Sequence, residues 1–305
     1  MNPHPGPLRF LFDFVHEDRM DAERLSKYSA LVLPNVALLT DAQCDQLRAY
    51  VKAGGSLFAT FETSMYDDRN NRRENFGLAD VFGIQKSGDV IGTTGNGYYS
   101  RIERKHEILD GFSDTNSFMG AEHRLPIAPT TNPVLTVVPG FVAYPPELAY
   151  PPPEKSHTTE PAIVLSEQGK SRLAYFSGDI ERTFWTSGNP DLSRLINNTI
   201  KWMLRDSQPV NVEGQGLIET FAWETEPGYA LHILNYTNPN THRGWYRDFH
   251  AIGEQRVRFD IPAGRKVKRV QLLRAEKEIP FKHTGAAIEF TIPSVTEYEV
   301  AVIET

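Results

Sequence analysis

The sequence has a single cysteine, Cys44, among 305 residues. That excludes an internal disulfide framework and a thiolate zinc cluster. Nor is there an apolar run near the roughly 18 residues that a helical membrane span needs. The start MNPHPGPLRFLFDF places Pro3, Pro5 and Pro7 where a signal peptide would carry its apolar core, so the default expectation is a cytoplasmic protein. Positive charge is also short: 32 Lys and Arg face 39 Asp and Glu, a net charge of −7. Neither half of the chain is basic, and a nucleic-acid groove needs clustered Lys and Arg. The densest basic stretch, Arg265, Lys266, Lys268 and Arg269, reads as the solvated start of a strand.

The missing motifs narrow the chemistry further. The nine histidines are scattered, with no H-E-x-x-H or H-x-H, so zinc hydrolysis lacks a ligand pattern. No G-x-G-x-x-G or P-loop occurs, and TTGNGYY runs into a strand rather than a helix, which removes the usual phosphate cradle. No cofactor or metal is expected.

What is present is an alternation of strands and helices over the first two-thirds of the chain. RFLFDFV (9–15) and ALVLPN (30–35) read as short apolar strands with helical DAERLSKY between them. Thr40 and Asp41 cap TDAQCDQLRAYVKAGG, a helix stopped by Gly54 and Gly55. SLFATFE follows as a fully apolar strand, and then FGLADVFGI as a short helix. Strands with helical crossovers imply a parallel sheet covered on both faces.

After Gly83 the pattern turns to hairpin-like pieces around 95–97, then a Pro-rich stretch over 141–161 that reads as a loop or lid. PAIVLSEQGKSRLAYFSGDI reads as a hairpin turning at Gln168, Gly169 and Lys170, and Asp191 to Arg205 as an amphipathic helix. From Asp206 onward seven short strands separated by turn residues imply an antiparallel β-sandwich. The expected fold class is α/β, a flavodoxin-like (amidotransferase-like), mostly parallel sheet over 1–205, followed by a small antiparallel β-sandwich domain over 206–305.

Candidate chemistry gathers at the C-terminal ends of two strands, where open α/β sheets place their ligands. Glu62, Thr63, Tyr66, Asp67 and Asp68 follow SLFAT, and Asp179, Glu181, Arg182 and Trp185 follow LAYFSG. Carboxylates beside Trp suit a sugar, because aromatic faces stack on pyranose rings. The plainer alternative is that Asp179 and Glu181 cap turns, Arg182 pairs with an acid, and Trp185 fills a domain or subunit interface. Ser64 lacks the small neighbours of a nucleophile elbow. Cys44, Leu47 and Val51 share one helix face, so Cys44 reads as a small core hydrophobe.

The stretch from Tyr28 to Asp68, followed by FGLADVFGI, resembles the β-galactosidase trimerisation domain, which is related to class I glutamine amidotransferases. RLAYFSGDIERTFWTSGNPDLSRLINNTIKWML and the β-rich tail resemble later parts of glycoside hydrolases related to family 42. The resemblance implies an amidotransferase-like domain that has lost its nucleophile, since no cysteine follows the strand at Phe61, Glu62 and Thr63. It implies a homo-oligomer, typically of three copies, or a catalytic (β/α)₈ barrel as partner. Such a barrel takes about 250 residues, more than precede the first matching strand, so no residue here inherits its catalytic glutamates. In related domains a further strand and helix come first. Without them, either RFLFDFV moves inward to pair with ALVLPN or a sheet edge stays incompletely covered. The expectation is a non-catalytic oligomerisation and accessory region. The alternatives are a carbohydrate-binding module stacking on Trp223 or Trp245, and a weak hydrolase built on Ser64.

Overall fold

A computed structural model describes residues 9–92, 98–129, 132–138, 159–205, 207–238 and 248–305. They fall into two compact units, residues 15–205 and residues 9–14 with 207–305. The expected turn at 95–97, most of the Pro-rich stretch, and Trp245 lie outside the described residues.

In the first unit, Asp21 caps the short helix α1 (Ala22–Leu25) by accepting the Arg24 N–H at 2.9 Å. Strand β1 (Ala30–Leu33) follows. Helix α2 (Asp41–Lys52) opens with a capping box: the Thr40 hydroxyl accepts the Gln43 N–H at 3.0 Å, and the Gln43 side chain accepts the Thr40 N–H at 2.9 Å. Cys44, Leu47 and Val51 are buried on its inner face. The helix stops at Gly54, whose φ of 109° suits glycine. Every residue of β2 (Ser56–Thr60) is buried, as a strand covered on both faces requires.

Helix α3 (Ala79–Phe82) ends in left-handed Gly83 and leads to β3 (Ile84–Lys86). Four short strands follow: β4 (Tyr99–Ile102), β5 (Ser117–Met119), β6 (Ile127–Pro129) and β7 (Leu135–Val138). The hairpin of β8 (Pro161–Gln168) and β9 (Ser171–Phe176) turns at left-handed Gly169, and helices α4 (Ile180–Ser187) and α5 (Pro190–Leu204) close the unit.

The main sheet has the order β1-β2-β9-β8-β7-β4-β5. The β1–β2 and β2–β9 pairs are parallel and the other four antiparallel. Strands β1, β2, β9, β7 and β5 therefore point one way, and β8 and β4 the other. Leu57, Ala59, Leu173 and Tyr175 pack on one face with Leu47, Val51 and Phe82. On the opposite face Phe58, Ala174 and Phe176 pack with Leu195, Trp202 and Met203 of α5. A fully buried side chain of this size contributes about 1.5–3 kcal/mol, so these two layers fix the sheet before any loop is considered.

The expected strand at 9–15 does not form. Arg9 is instead drawn into the second unit, where its guanidinium meets four oxygen acceptors, and Leu11 packs on that unit's core. With RFLFDFV elsewhere, β1 is the edge of the main sheet among the described residues. Of the two outcomes expected from sequence, the pairing of RFLFDFV with ALVLPN is not observed.

The second unit contains β10 (Val210–Glu213), β11 (Ile218–Thr225), β12 (Gly228–Asn235), β13 (Gln255–Asp260), β14 (Arg269–Leu272), β15 (Lys277–Ile279), β16 (Phe281–Thr284), β17 (Ala287–Ile292) and β18 (Tyr298–Glu304). They form two antiparallel sheets, β10-β13-β17-β16 and β11-β12-β18-β14-β15, whose inward residues join in one hydrophobic cluster. EIPFKH, expected as one strand, is two. Pro280 lacks the N–H that a continuous ladder needs, and β15 and β16 on either side of it belong to different sheets. At Gly228 (φ 147°) a Cβ would stand 2.1 Å from the Ile303 carbonyl oxygen, so only glycine fits the β11–β12 turn.

Candidate functional site

The parallel register of β1, β2 and β9 brings the two sequence-predicted loops together. The Phe61 N–H donates to the Phe176 carbonyl at 2.8 Å, so the turns leaving β2 and β9 start side by side. Thr60 ties them: its hydroxyl accepts the Asn35 N–H at 2.8 Å and donates to Glu181 Oε1 at 2.6 Å. Glu181 therefore reaches from the first turn of α4 to the end of β2. Burial pushes its carboxyl pKa up, and Oε2 has no hydrogen-bond partner among the described residues.

The turn after β2 is sharp. Phe61 and Ser64 have positive φ, at 50° and 66°, as does Asn35 (49°) in the neighbouring turn after β1. Positive φ costs a non-glycine residue free energy and persists only where the surroundings impose it. Phe61 stands where a strained strand-to-turn elbow would present a nucleophile, but its side chain is 8% exposed and belongs to the core. Ser64 is fully buried, and its Oγ accepts the Leu78 N–H at 3.1 Å. Its hydroxyl therefore braces the turn from inside and has no route to a substrate.

Seven of the nine sequence-predicted residues divide by depth, Glu181 being placed above and Asp68 lying exposed at the end of the turn. Thr63 is buried, donating its hydroxyl to the Thr60 carbonyl at 2.7 Å. Asp179 is also buried and accepts from the His123 N–H at 3.0 Å, Arg182 Nε at 2.6 Å and the Thr183 hydroxyl at 3.2 Å. These two support the loops from beneath. Glu62, Tyr66, Asp67 and Arg182 lie nearer the surface. Tyr66 donates to Glu62 at 3.3 Å, and burial followed by the Glu62 charge raises the phenol pKa. Asp67 accepts from the Asn71 side chain at 3.0 Å, which with the Asn71 N–H lowers its pKa. Trp185 is 87% exposed, one helical turn beyond Glu181.

Two members of the site were not read from the sequence. Glu122 accepts from Arg182 at 2.7 Å, and His123 Nδ1 lies 3.1 Å from Asp179 Oδ2 and 2.5 Å from the Arg182 guanidinium. The carboxylate can only accept and the guanidinium only donate. In either tautomer, then, only one of those two His123 contacts is a hydrogen bond. Glu122 and His123 lie on an irregular segment far from Asp179 in sequence, and no periodicity or motif marks them.

Cys44 is 1% exposed in the core, and burial raises its thiol pKa, so it offers no thiolate. No cluster of metal-ligating residues occurs among the described residues, and none of their helices is long and apolar enough to cross a membrane.

Residues 11–96 match the family model of the β-galactosidase trimerisation domain. The resemblance drawn from sequence is to this same domain. The trimerisation-domain match contains β1, α2, β2 and the Glu62–Asp68 turn, and stops before Asp179. Solved structures extend the likeness of fold over nearly the whole chain. The α-L-fucosidase isoenzyme 2 from Paenibacillus thiaminolyticus is 20% identical with a TM-score of 0.67, over 92% of this chain and 41% of that one. The β-galactosidase from Bacillus circulans sp. alkalophilus is 16% identical with a TM-score of 0.61, over 93% of this chain and 34% of that one. The β-galactosidase from Rahnella sp. R3 is 12% identical with a TM-score of 0.57, over 90% and 32%. This chain thus spans about a third to two-fifths of the length of the enzymes whose fold it shares.

Proposed function

We propose that this chain is a non-catalytic oligomerisation and accessory region of a β-galactosidase-like glycoside hydrolase system. The observation that carries the reading is the trimerisation-domain match over residues 11–96, which includes the β2 turn. The turn's chemistry supports it. An elbow occupied by buried Phe61, and a Ser64 hydroxyl engaged by the Leu78 N–H, leave the elbow itself without an accessible hydroxyl or thiol. The flavodoxin-like description of the first unit and the sandwich description of the second belong to the same reading.

The contact surface is assigned to the outward residues of the paired loops: Glu62, Tyr66, Asp67, Arg182 and Trp185, held from below by Thr63 and Asp179. Its partners are further copies of this chain, in a trimer, or a glycosidase barrel. Trp185 is the anchor, because so exposed a Trp gains most from burial and Trp is enriched at interface hot spots. The test is the mass of the purified chain by analytical ultracentrifugation against concentration. Trp185→Ala should weaken assembly by about 2 kcal/mol or more, some 30-fold in dissociation constant. Unchanged oligomer size and stability in the variant would remove the assignment.

A further inference from the structure

The second unit carries a separate aromatic strip. On β11, Ile218, Thr220 and Ala222 turn to the core, and Glu219, Phe221 and Trp223 turn outward. Phe12 packs on Phe221 at 5.9 Å between ring centroids, and Phe14 on Phe12 at 5.6 Å. Trp223 lies on the same strand face as Phe221, about 7 Å along. Exposure is 52% for Phe12, 82% for Phe14 and 62% for Trp223. β11 is also the edge of its sheet among the described residues, and it is eight residues long. A long edge strand bearing exposed aromatics invites pairing, and natural proteins keep such edges covered.

We infer that this strip, Phe14–Phe12–Phe221–Trp223, is a second protomer-contact surface whose occupant is another copy of this chain. The inference rests on the oligomeric reading above. Three observations favour that occupant. The ring planes meet at 89° between Phe12 and Phe14 and at 53° between Phe12 and Phe221. A run of pyranose rings needs successive faces turned the same way, whereas crossed rings form ridges that enter a partner's hollows. At about 200 Å² per aromatic side chain, the open parts of these rings offer on the order of 400 Å². That is about half of the roughly 800 Å² per partner in a standard interface, so the strip can supply the apolar centre of a protein contact but not the whole of one. Phe12 and Phe14 also fall inside the segment that matches a trimerisation domain. In a closed ring of three the contact is heterologous, and the strip meets a different surface on the neighbouring copy.

The test compares the full chain with Phe14→Ser/Trp223→Ser and, separately, with Trp185→Ala, by sedimentation across a concentration series. Circular dichroism and thermal melting confirm that the variants fold. The double variant should dissociate at least tenfold more readily than the parent. If it keeps the parental mass profile while Trp185→Ala loses it, the strip is not an interface and the loop assignment stands. The reverse result upholds the strip and removes the loop assignment. A parent chain that is monomeric throughout overturns both. Quenching of Trp223 emission by lactose, absent in a Trp223→Phe variant, would instead make the strip a sugar platform and overturn the inference.

Discussion

Replacing Arg9 by Met tests whether the N-terminal segment is an integral part of the second unit. The guanidinium donates through Nη1 to the Val212 carbonyl at 3.2 Å and Gln255 Oε1 at 2.8 Å, and through Nη2 to the Gly214 and Gly216 carbonyls at 3.2 and 2.9 Å. The residue is 7% exposed, and burial draws its pKa down to about 10, so it is still charged at neutral pH. The positive charge is balanced by carbonyl dipoles and an amide, with no carboxylate in the set. Methionine replaces most of the volume and none of the donors. Each hydrogen bond to a charged group is worth about 1.5–3 kcal/mol, and an orphaned buried acceptor costs about 1–3 kcal/mol. Two opposing effects shrink the sum: the variant no longer desolvates a charge, and Nη2 is only partly buried. A net loss of about 2–4 kcal/mol results. For a unit of about 100 residues, each kcal/mol lowers the melting midpoint by about 4–8 °C. The assay is calorimetry combined with amide hydrogen exchange, with loss of protection centred on Gly214, Gly216 and Gln255. Arg9→Lys should rescue only part, because an ammonium cannot span four separated acceptors. A shift below about 0.5 kcal/mol, with exchange at Gly214 and Gly216 unchanged, would refute the reasoning.

The candidate site supplies three further predictions. Ser64→Ala should lower stability by about 1–3 kcal/mol by orphaning the buried Leu78 N–H, while any aryl-ester turnover of the preparation stays the same. Turnover that disappears with Ser64 would revive the hydrolase alternative. Glu181 has its folded pKa raised above the unfolded value, so the folded state holds its proton longer and stability falls as pH climbs between those two values. Glu181→Gln should remove that slope, and urea midpoints that run parallel from pH 4 upward would contradict it. Asp179→Ala should cost about 1–3 kcal/mol, discounted because Arg182 is half-exposed, and should free the His123 N–H for faster hydrogen exchange.

Legibility followed the range of the interactions. The capping box at Thr40 and Gln43, the glycine stop at Gly54 and the Gly169 hairpin are local, and their residue types announce them. β2 and β9 were readable as apolar runs, and their C-terminal ends lie side by side in the sheet. RFLFDFV misled because alternating apolar residues describe any segment buried on one side. What decides its fate is Arg9, whose four acceptors are more than 200 residues away in sequence, or 246 for Gln255. EIPFKH misled in the opposite sense, since a proline inside a β-rich run can mark a change of sheet as well as an edge. Glu122 and His123 were invisible for the same reason as the Arg9 acceptors: isolated polar residues in irregular chain acquire a role only through a distant partner.

The β2 turn is strained and braced from within. Its backbone keeps two non-glycine residues, Phe61 and Ser64, at positive φ, an arrangement that costs of order 1–3 kcal/mol each. A loop under no constraint would relax, so something must hold it. The holders are visible: the Phe61 ring in the core, the Tyr175 hydroxyl on the Phe61 carbonyl, and Ser64 Oγ on the Leu78 N–H. Asn35 contributes as well, its Oδ1 accepting the Glu62 N–H at 3.2 Å. Each turns a position that could face a ligand into a brace directed inward. The outcome is a stiff loop with Glu62, Tyr66 and Asp67 fixed on its outer side. Rigidity of this kind lowers the ordering cost of binding a partner. A strained turn can therefore serve assembly for the same reason it would serve catalysis, by holding side chains in place before the partner arrives.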